Sequence, residues 1–564
     1  MRHNPTFPHS SRVRMFLGSL LLLLLVAAPL LTASVSAAPP GERPSSEAAG
    51  ANLSAGVGAA ATSAFTAALS VDVQGLDPAL ASDAVSLLVT SQIYDTLTAY
   101  EPGGSAPIPA LAQSWSASAD GKTWTFNLRP GVQFHDGTPL DAAAVAFNFQ
   151  RWWDPANPHH IGDFDAFRSV FGGFKNDSNC LLAGVSTTGP LQFQISTTES
   201  APRLPTSLAM DAFAIASPAA IAAGTLGASP SGTGPYRFVE RVAGDHISLQ
   251  ANITYWGNAP LLDGLVFRVI PDGNQRFAAL VAGTVESADE FSDSQVLVAA
   301  SDAHLQVLWR LTPSIGYLGM NRAHTPLDKP LVREAIAHAI NRPKLVAEHY
   351  DVLNQVAGQF LPPTLWGYDS SLTGYEYNPT LALSLLEQAG YPSGFSTTLA
   401  YRDVYRWYLP DPAGTASAIA ADLQVVGIHA DVVEYESSEF VAKAGEGALD
   451  LDLLGWGTDT LHPAAMFDPL FCRPSWLEFG PLDTELCDQL LAAEATFDFA
   501  AQLATYKWAS DRVYGALPLL PLAHQRTALV TRNDVDGLVP SPVSAENYET
   551  VRFMRRVYLP VVLR

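Results

Sequence analysis

The sequence predicts an α/β protein built from more than one lobe. Three observations carry that prediction. The chain has 564 residues, more than a single hydrophobic core supports. Residues 231–300 read mainly as strands. From 311 onward, helical and strand patterns alternate, the order expected of a lobe with a partly parallel sheet.

Before the core comes an export segment. Arg12 and Arg14 precede the apolar run "MFLGSLLLLLLVAAPLL", and small residues follow in "TASVSAA". Residues 1–38 are therefore expected to form a secretory signal, with cleavage at Val35-Ser36-Ala37 or Ser36-Ala37-Ala38. The alternative is an uncleaved anchor, although an apolar core of ~16 residues is short for a span. Residues 39–64 are rich in Ala, Gly, Ser and Pro and are expected to be a flexible linker, with order starting near Phe65.

Taken in order, the elements are as follows. "SDAVSLLVTSQIYDTLTAY" places Val85, Leu88, Ile93 and Leu97 near helical spacing, with Ser82 or Asp83 as cap. "KTWTFNLRPGVQFHDGTP" alternates, with Trp124, Phe126 and Leu128 on one face. Pro130-Gly131 and Asp136-Gly137 are turn signals, so a hairpin is expected there. "PLDAAAVAFNFQRWW" returns to helix. "GPYRFVERVAGDHISLQAN" is two strands about a Gly244-Asp245 turn, and "LDGLVFRVIPD" is a further strand. "NQRFAALVAGTVESADEF" is a helix ended by Gly283, then a short strand. "DKPLVREAIAHAINRPKL" predicts one helix, capped by Asp328 with Pro330 in its first turn. "YNPTLALSLLEQAGYP" predicts another, from the Asn378 cap to the Gly390 stop. "AIAADLQVVGIHADVVEYE" reads helix, Gly427, strand, and "LDLDLLGW" reads as a strand.

Charge and cysteine usage narrow the function. There are 55 acids against 32 Lys and Arg, for a net charge of -23. This excess disfavours nucleic acids and anionic membranes as partners. Of the three cysteines, Cys472 and Cys487 are expected to pair in an oxidising compartment, while Cys180 has no implied partner. No zinc-type spacing occurs, and His159-His160 lies in a Pro- and Gly-flanked stretch expected to be a solvated loop. "GTGPYRF" lacks the third glycine of a dinucleotide loop and leads into a strand, so it reads as a turn.

The ordered set of segments resembles the family 5 extracellular solute-binding proteins of ABC importers, which include dipeptide-, oligopeptide- and nickel-binding members. The segments are "LDP" (76–78), "IYDTLTAY" (93–100), "PALAQSWSASADGKTWTFNLRPGVQFHDGTPLDAAAVAFNFQR" (109–151), "GTGPYRF" (232–238), "YLGMNRAHTPLDKPLVREAIAHAINR" (317–342), "YEYNPTLALSLLEQAGYP" (375–392) and the strand ending in "GWGTD". The resemblance implies a periplasmic-binding-protein-like fold, with two lobes, two crossing hinge strands and an extra domain inserted in lobe I. Lobe I would take 65–107, 231–312 and 520–556, the extra domain 108–230, lobe II 313–519, and a tail 557–564. The hinge is expected near "TPSIGYLGMN" and "LLPLAHQR".

The resemblance also implies a role and a site. The role is capture of a di- or oligopeptide outside the cytoplasm and delivery to an ABC permease and its ATPase subunits. A monomer is expected, with neither catalysis nor cofactor. A non-peptide solute such as a sugar or nickel complex is the alternative, and a secreted hydrolase a remote one, since no nucleophile or general base stands at a recognisable spacing. In peptide binders of this family an acid three residues after the strand's tryptophan holds the α-ammonium, and Trp456 and Asp459 have that spacing. An R-x-Y-x-P stretch supplies the arginine for the terminal carboxylate. Arg406, Trp407, Tyr408 and Pro410 match its spacing. Arg406 and Asp459 are then two poles for a zwitterion, and Trp456, Tyr408 and Trp407 a pocket wall. An alternative role for Asp459 is to cap the helix after Pro463. His462 stands where many members carry an acid, a place from which it could alter the pH response.

Overall fold

The computed structural model describes residues 64–458, 461–543 and 545–554. The expected signal, nearly all of the linker, and the tail lie outside the described residues.

Lobe I is built on a sheet whose strands run Tyr236–Val242, His246–Ala251, Gly264–Val269, Ala64–Leu69 and Ser287–Ala288, ending on the long strand Leu519–Arg532. Ala64–Leu69 and Gly264–Val269 are parallel, while the Gly244 turn makes an antiparallel pair of the first two strands. "GTGPYRF" enters this sheet against the end of the helix Ala84–Ile93, which Asp83 caps. A Cβ at Gly234 would lie 2.5 Å from the carbonyl carbon of Ile93, so only glycine fits there.

Lobe II alternates helix and strand as its sequence predicts. Its sheet runs Ile428–Glu434, Phe395–Tyr401, Leu451–Gly457 and Ser314–Met320, then the same long strand. Phe395–Tyr401 is parallel to both of its neighbours. Asn378 caps the helix Pro379–Ala389, and Gly390 ends it at a φ of 90°.

Two strands join the lobes. The second half of Leu519–Arg532, from Arg526, pairs with Leu305–Leu311. Its first half, up to Ala523, pairs with Ser314–Met320. The crossovers are therefore Thr312-Pro313 and His524-Gln525, cross-linked by hydrogen bonds from Thr312 N–H to the Gln525 carbonyl (3.1 Å) and from His524 Nδ1–H to the Ser314 carbonyl (2.9 Å). Residues 519–523 thus belong by pairing to the sheet of lobe II, although the sequence boundary falls at 520.

The inserted domain has its own four-stranded sheet, Ala112–Ala117, Thr123–Leu128, Gln192–Thr197 and Leu182–Gly189, packed on the helix Ala142–Trp153. Trp124, Phe126 and Leu128 share its core. From Ala216, however, side chains pack in the core of lobe I, short of the boundary expected at 230, while Ile215 still packs in the core of the inserted domain.

Three local expectations are corrected. Thr123–Leu128 does not form a hairpin with the residues after Pro130. It pairs with Ala112–Ala117 and Gln192–Thr197, which satisfy the backbone N–H and C=O groups on its two edges. The single helix from Asp328 is two helices, Pro330–Ala339 and Arg342–His349. Lys329 occupies the first cap position, and Asn341 caps the second helix, with Pro343 just inside it. His159 and His160 are half-buried rather than freely solvated: His160 Nδ1–H donates to the Arg151 carbonyl, and the His159 carbonyl accepts from the Arg151 side chain.

Candidate functional site

A cleft of about 1020 Å³ lies over the crossovers. Thr312, Pro313, Ser314 and Gln525 form its floor. Lobe II contributes Trp407, Gly457, Thr458 and Leu461, while Ala79–Ser82, Leu87, Tyr100, Pro542 and Val543 come from the opposite side. The inserted domain adds 162–166, Ser169 and Met210–Ala212.

Two local structures aim lobe II into the cleft. Leu451–Gly457 is buried over its first five residues, emerges at Trp456 and Gly457, and passes into Thr458. Beside its end, residues 406–409 make a tight reversal: Leu409 N–H donates to the Arg406 carbonyl at 2.8 Å, and Arg406 N–H returns the bond at 3.3 Å. The reversal seats against two glycines. A Cβ at Gly316 would meet the Tyr408 carbonyl oxygen at 2.1 Å, and one at Gly455 would meet the Tyr408 ring at 2.2 Å. The glycines of "GYLGM" and "LLGW" make that close approach possible.

The expected site residues divide accordingly. Trp407 lines the cleft and is 46% exposed. Arg406 shares its turn and is half-buried. Its Nη1 donates to the Tyr405 carbonyl at 2.9 Å, and among the described residues it has no carboxylate partner. Tyr408 belongs to the core of lobe II, because consecutive residues of the turn take opposite sides. Trp456 is half-buried with its indole N–H on the Ala465 carbonyl (2.9 Å), a packed position one step behind the cleft wall. Asp459 lies outside the described residues; Thr458 before it and Leu461 after it both line the cleft.

His462 stands just before the helix Ala464–Phe471. His462 Nδ1 accepts from Ala464 N–H at 3.2 Å, and burial holds its imidazole neutral, with a pKa well below the usual histidine range. It is therefore no sensor near neutral pH. His524, at the crossover, is likewise kept neutral, its pKa pushed down to about 4 by burial. Cys472 and Cys487 form a disulfide with Cα atoms 5.4 Å apart, and Cys180 is buried and free.

Sequence reasoning missed Tyr100, Asp211 and Thr458 as cleft residues. They come from three distant segments, and no local pattern sets them apart. Asp211 starts a short 3-10 turn at the cleft edge, where burial raises its carboxyl to about 7.

Comparison with known proteins decides the family. The model of bacterial extracellular solute-binding proteins, family 5, matches residues 106–476. The chain belongs to this family. It is 30% identical over 501 residues to a dipeptide-binding protein of Escherichia coli, covering 85% of this chain and 92% of that one. It is 31% identical to heme-binding protein A of Haemophilus influenzae, covering 83% and 88%. Among solved structures it resembles HbpA2 from Haemophilus parasuis, with a TM-score of 0.73 at 27% identity over 87% of this chain and all of that one. It also resembles a Pseudoalteromonas dipeptide-binding protein in complex with Met-Leu, with a TM-score of 0.54 at 27% identity over the same shares. The two-lobed fold with crossing strands is that of periplasmic binding proteins, and the chain is a solute-binding protein.

Proposed function

We propose that the protein captures a small peptide between its lobes and hands it to an ABC permease, with Arg406 and Asp459 holding the two ends. The carrying observation is the cleft over the crossovers, walled by both lobes. At about 1020 Å³ it sits at the upper end of the ~300–1,000 Å³ typical of small-molecule sites. The dipeptide-binding relative supports the peptide reading. Arg406 supports it too, as a guanidinium beside the cleft tryptophan with no carboxylate partner among the described residues. A guest touching both lobes is held only when they close, so binding draws the population toward the closed form. The test is a thermal-shift screen with dipeptides, tripeptides, longer peptides, sugars and nickel complexes. A true ligand at a hundred times its Kd stabilises by about 2.7 kcal/mol. If peptides give no shift while another class does, the peptide assignment falls. Heme belongs in the same screen, since the heme-binding relative is as similar as the dipeptide-binding one and the cleft is roomy.

A further inference from the structure

The charge of the cleft wall is one-sided. Its described lining includes Asp163, Asp165 and Asp211 and no Lys, Arg or His. Asp165 is partly answered by the exposed Arg168, with which it forms an ion pair. Asp163 and Asp211 have no hydrogen-bonding or ion-pair partner for their carboxylates among the described residues. Asp211 is the telling one. Its turn packs against the helices Ala84–Ile93 and Asp165–Phe171. The first offers no charge except its cap Asp83, and the second offers only Asp165 and Arg168. A carboxylate left in an apolar wall without a donor costs free energy unless a cation arrives from outside. Tyr100 and Trp407 are aromatic residues of the same lining, a residue type that favours a cation over an anion.

Resting on the peptide reading above, we infer that the preferred guest carries a positive charge beyond its α-ammonium, a lysyl- or arginyl-type side chain, and that Asp211 selects it. Arg406 and Asp459 would hold the backbone ends, which all peptides share. Asp163 and Asp211, on the wall contributed by the inserted domain, would read the side chain. An acidic side chain would find no Lys, Arg or His in the described lining there.

The test compares alanyl-lysyl-alanine, alanyl-alanyl-alanine and alanyl-glutamyl-alanine by titration calorimetry at low and high salt. The lysyl peptide is expected to bind at least about tenfold tighter than the glutamyl peptide, with the gap narrowing as salt rises. Asp211→Asn should remove most of that preference, read as the ratio of lysyl- to glutamyl-peptide affinity within the variant. Thermal melting of the variant checks that it is folded, and the salt dependence of the natural protein tests the inference without any variant. Equal affinities for the three peptides, or an Asp211→Asn variant with full lysyl preference, would overturn this inference and leave the peptide reading standing. Absence of binding by all three, with binding of a non-peptide solute, would overturn both.

Discussion

At the residue scale, the two poles and one buried acid pair give separate expectations. Arg406→Ala and Asp459→Ala should each weaken peptide binding ten- to a hundredfold, roughly 1.4–2.8 kcal/mol; calorimetry showing no change in either would refute the two-pole scheme. Asp452 and Glu478 lie buried in lobe II with their carboxyl groups hydrogen-bonded to each other. Burial lifts Asp452 from 3.8 to about 7, and burial together with the charge of Asp452 lifts Glu478 well above its usual range. The folded pair therefore holds protons that the unfolded chain releases. Its favourable contribution is complete below pH of about 4 and is lost as pH rises through about 7. Asp452→Asn supplies an N–H where that proton was. At pH 8 the variant should melt ~2–4 °C higher than the natural protein, with the difference disappearing near pH 4. Parallel melting curves across that range would argue against a shared proton.

At the element scale, strand ends and turns position the site, and glycine governs their fit. Gly455→Ala should destabilise lobe II by about 1–3 kcal/mol through overpacking against Tyr408. Urea titration should show part of that cost relieved in a Tyr408→Ala background, because the two changes meet at one contact. The disulfide joins the end of the helix Ala464–Phe471 to the helix Thr484–Ala495 across 15 residues. Replacing both cysteines by alanine should lower stability by about 3 kcal/mol. Local signals located most elements well. Asn378 with Gly390, the Gly244 turn and the alternation at Trp124, Phe126 and Leu128 each name an element from neighbours in the chain. They failed where partners are remote. The strand at 123–128 has partners at 112–117 and 192–197, and no nearby turn residue announces the second. The Asn341 break was hidden because apolar residues stand on both sides of it, Val332, Ile336 and Ile340 before and Leu345 and Val346 after.

At the scale of the whole molecule, closure must contend with a contact between the inserted domain and lobe II. Arg203 reaches Asp468 at 3.0 Å and pairs with Glu494, which also accepts from the Tyr506 hydroxyl, while Phe497 packs edge-on against Trp124. Arg203→Ala should lower stability by only about 1 kcal/mol, since Arg203 is partly exposed. It should also free the lobes, so the ligand-free variant should show a larger radius of gyration by X-ray scattering; identical scattering profiles would show that the contact does not restrain them. By itself the sequence determined the α/β class and the family, the latter through the ordered run of segments at 76–392 and the "GWGTD" strand end, and it drew attention to the 406–410 stretch. These are properties of local pattern, because helix caps, strand alternation and motif order are written in neighbouring residues. Only the tertiary structure decided that Trp407 and not Tyr408 opens onto the cleft, that His462 is buried and bonded to the Ala464 N–H, and that acids from the inserted domain stand on the cleft wall. Burial and charge balance at those positions are set by segments far apart in the chain, and no stretch of sequence contains both sides of such a contact.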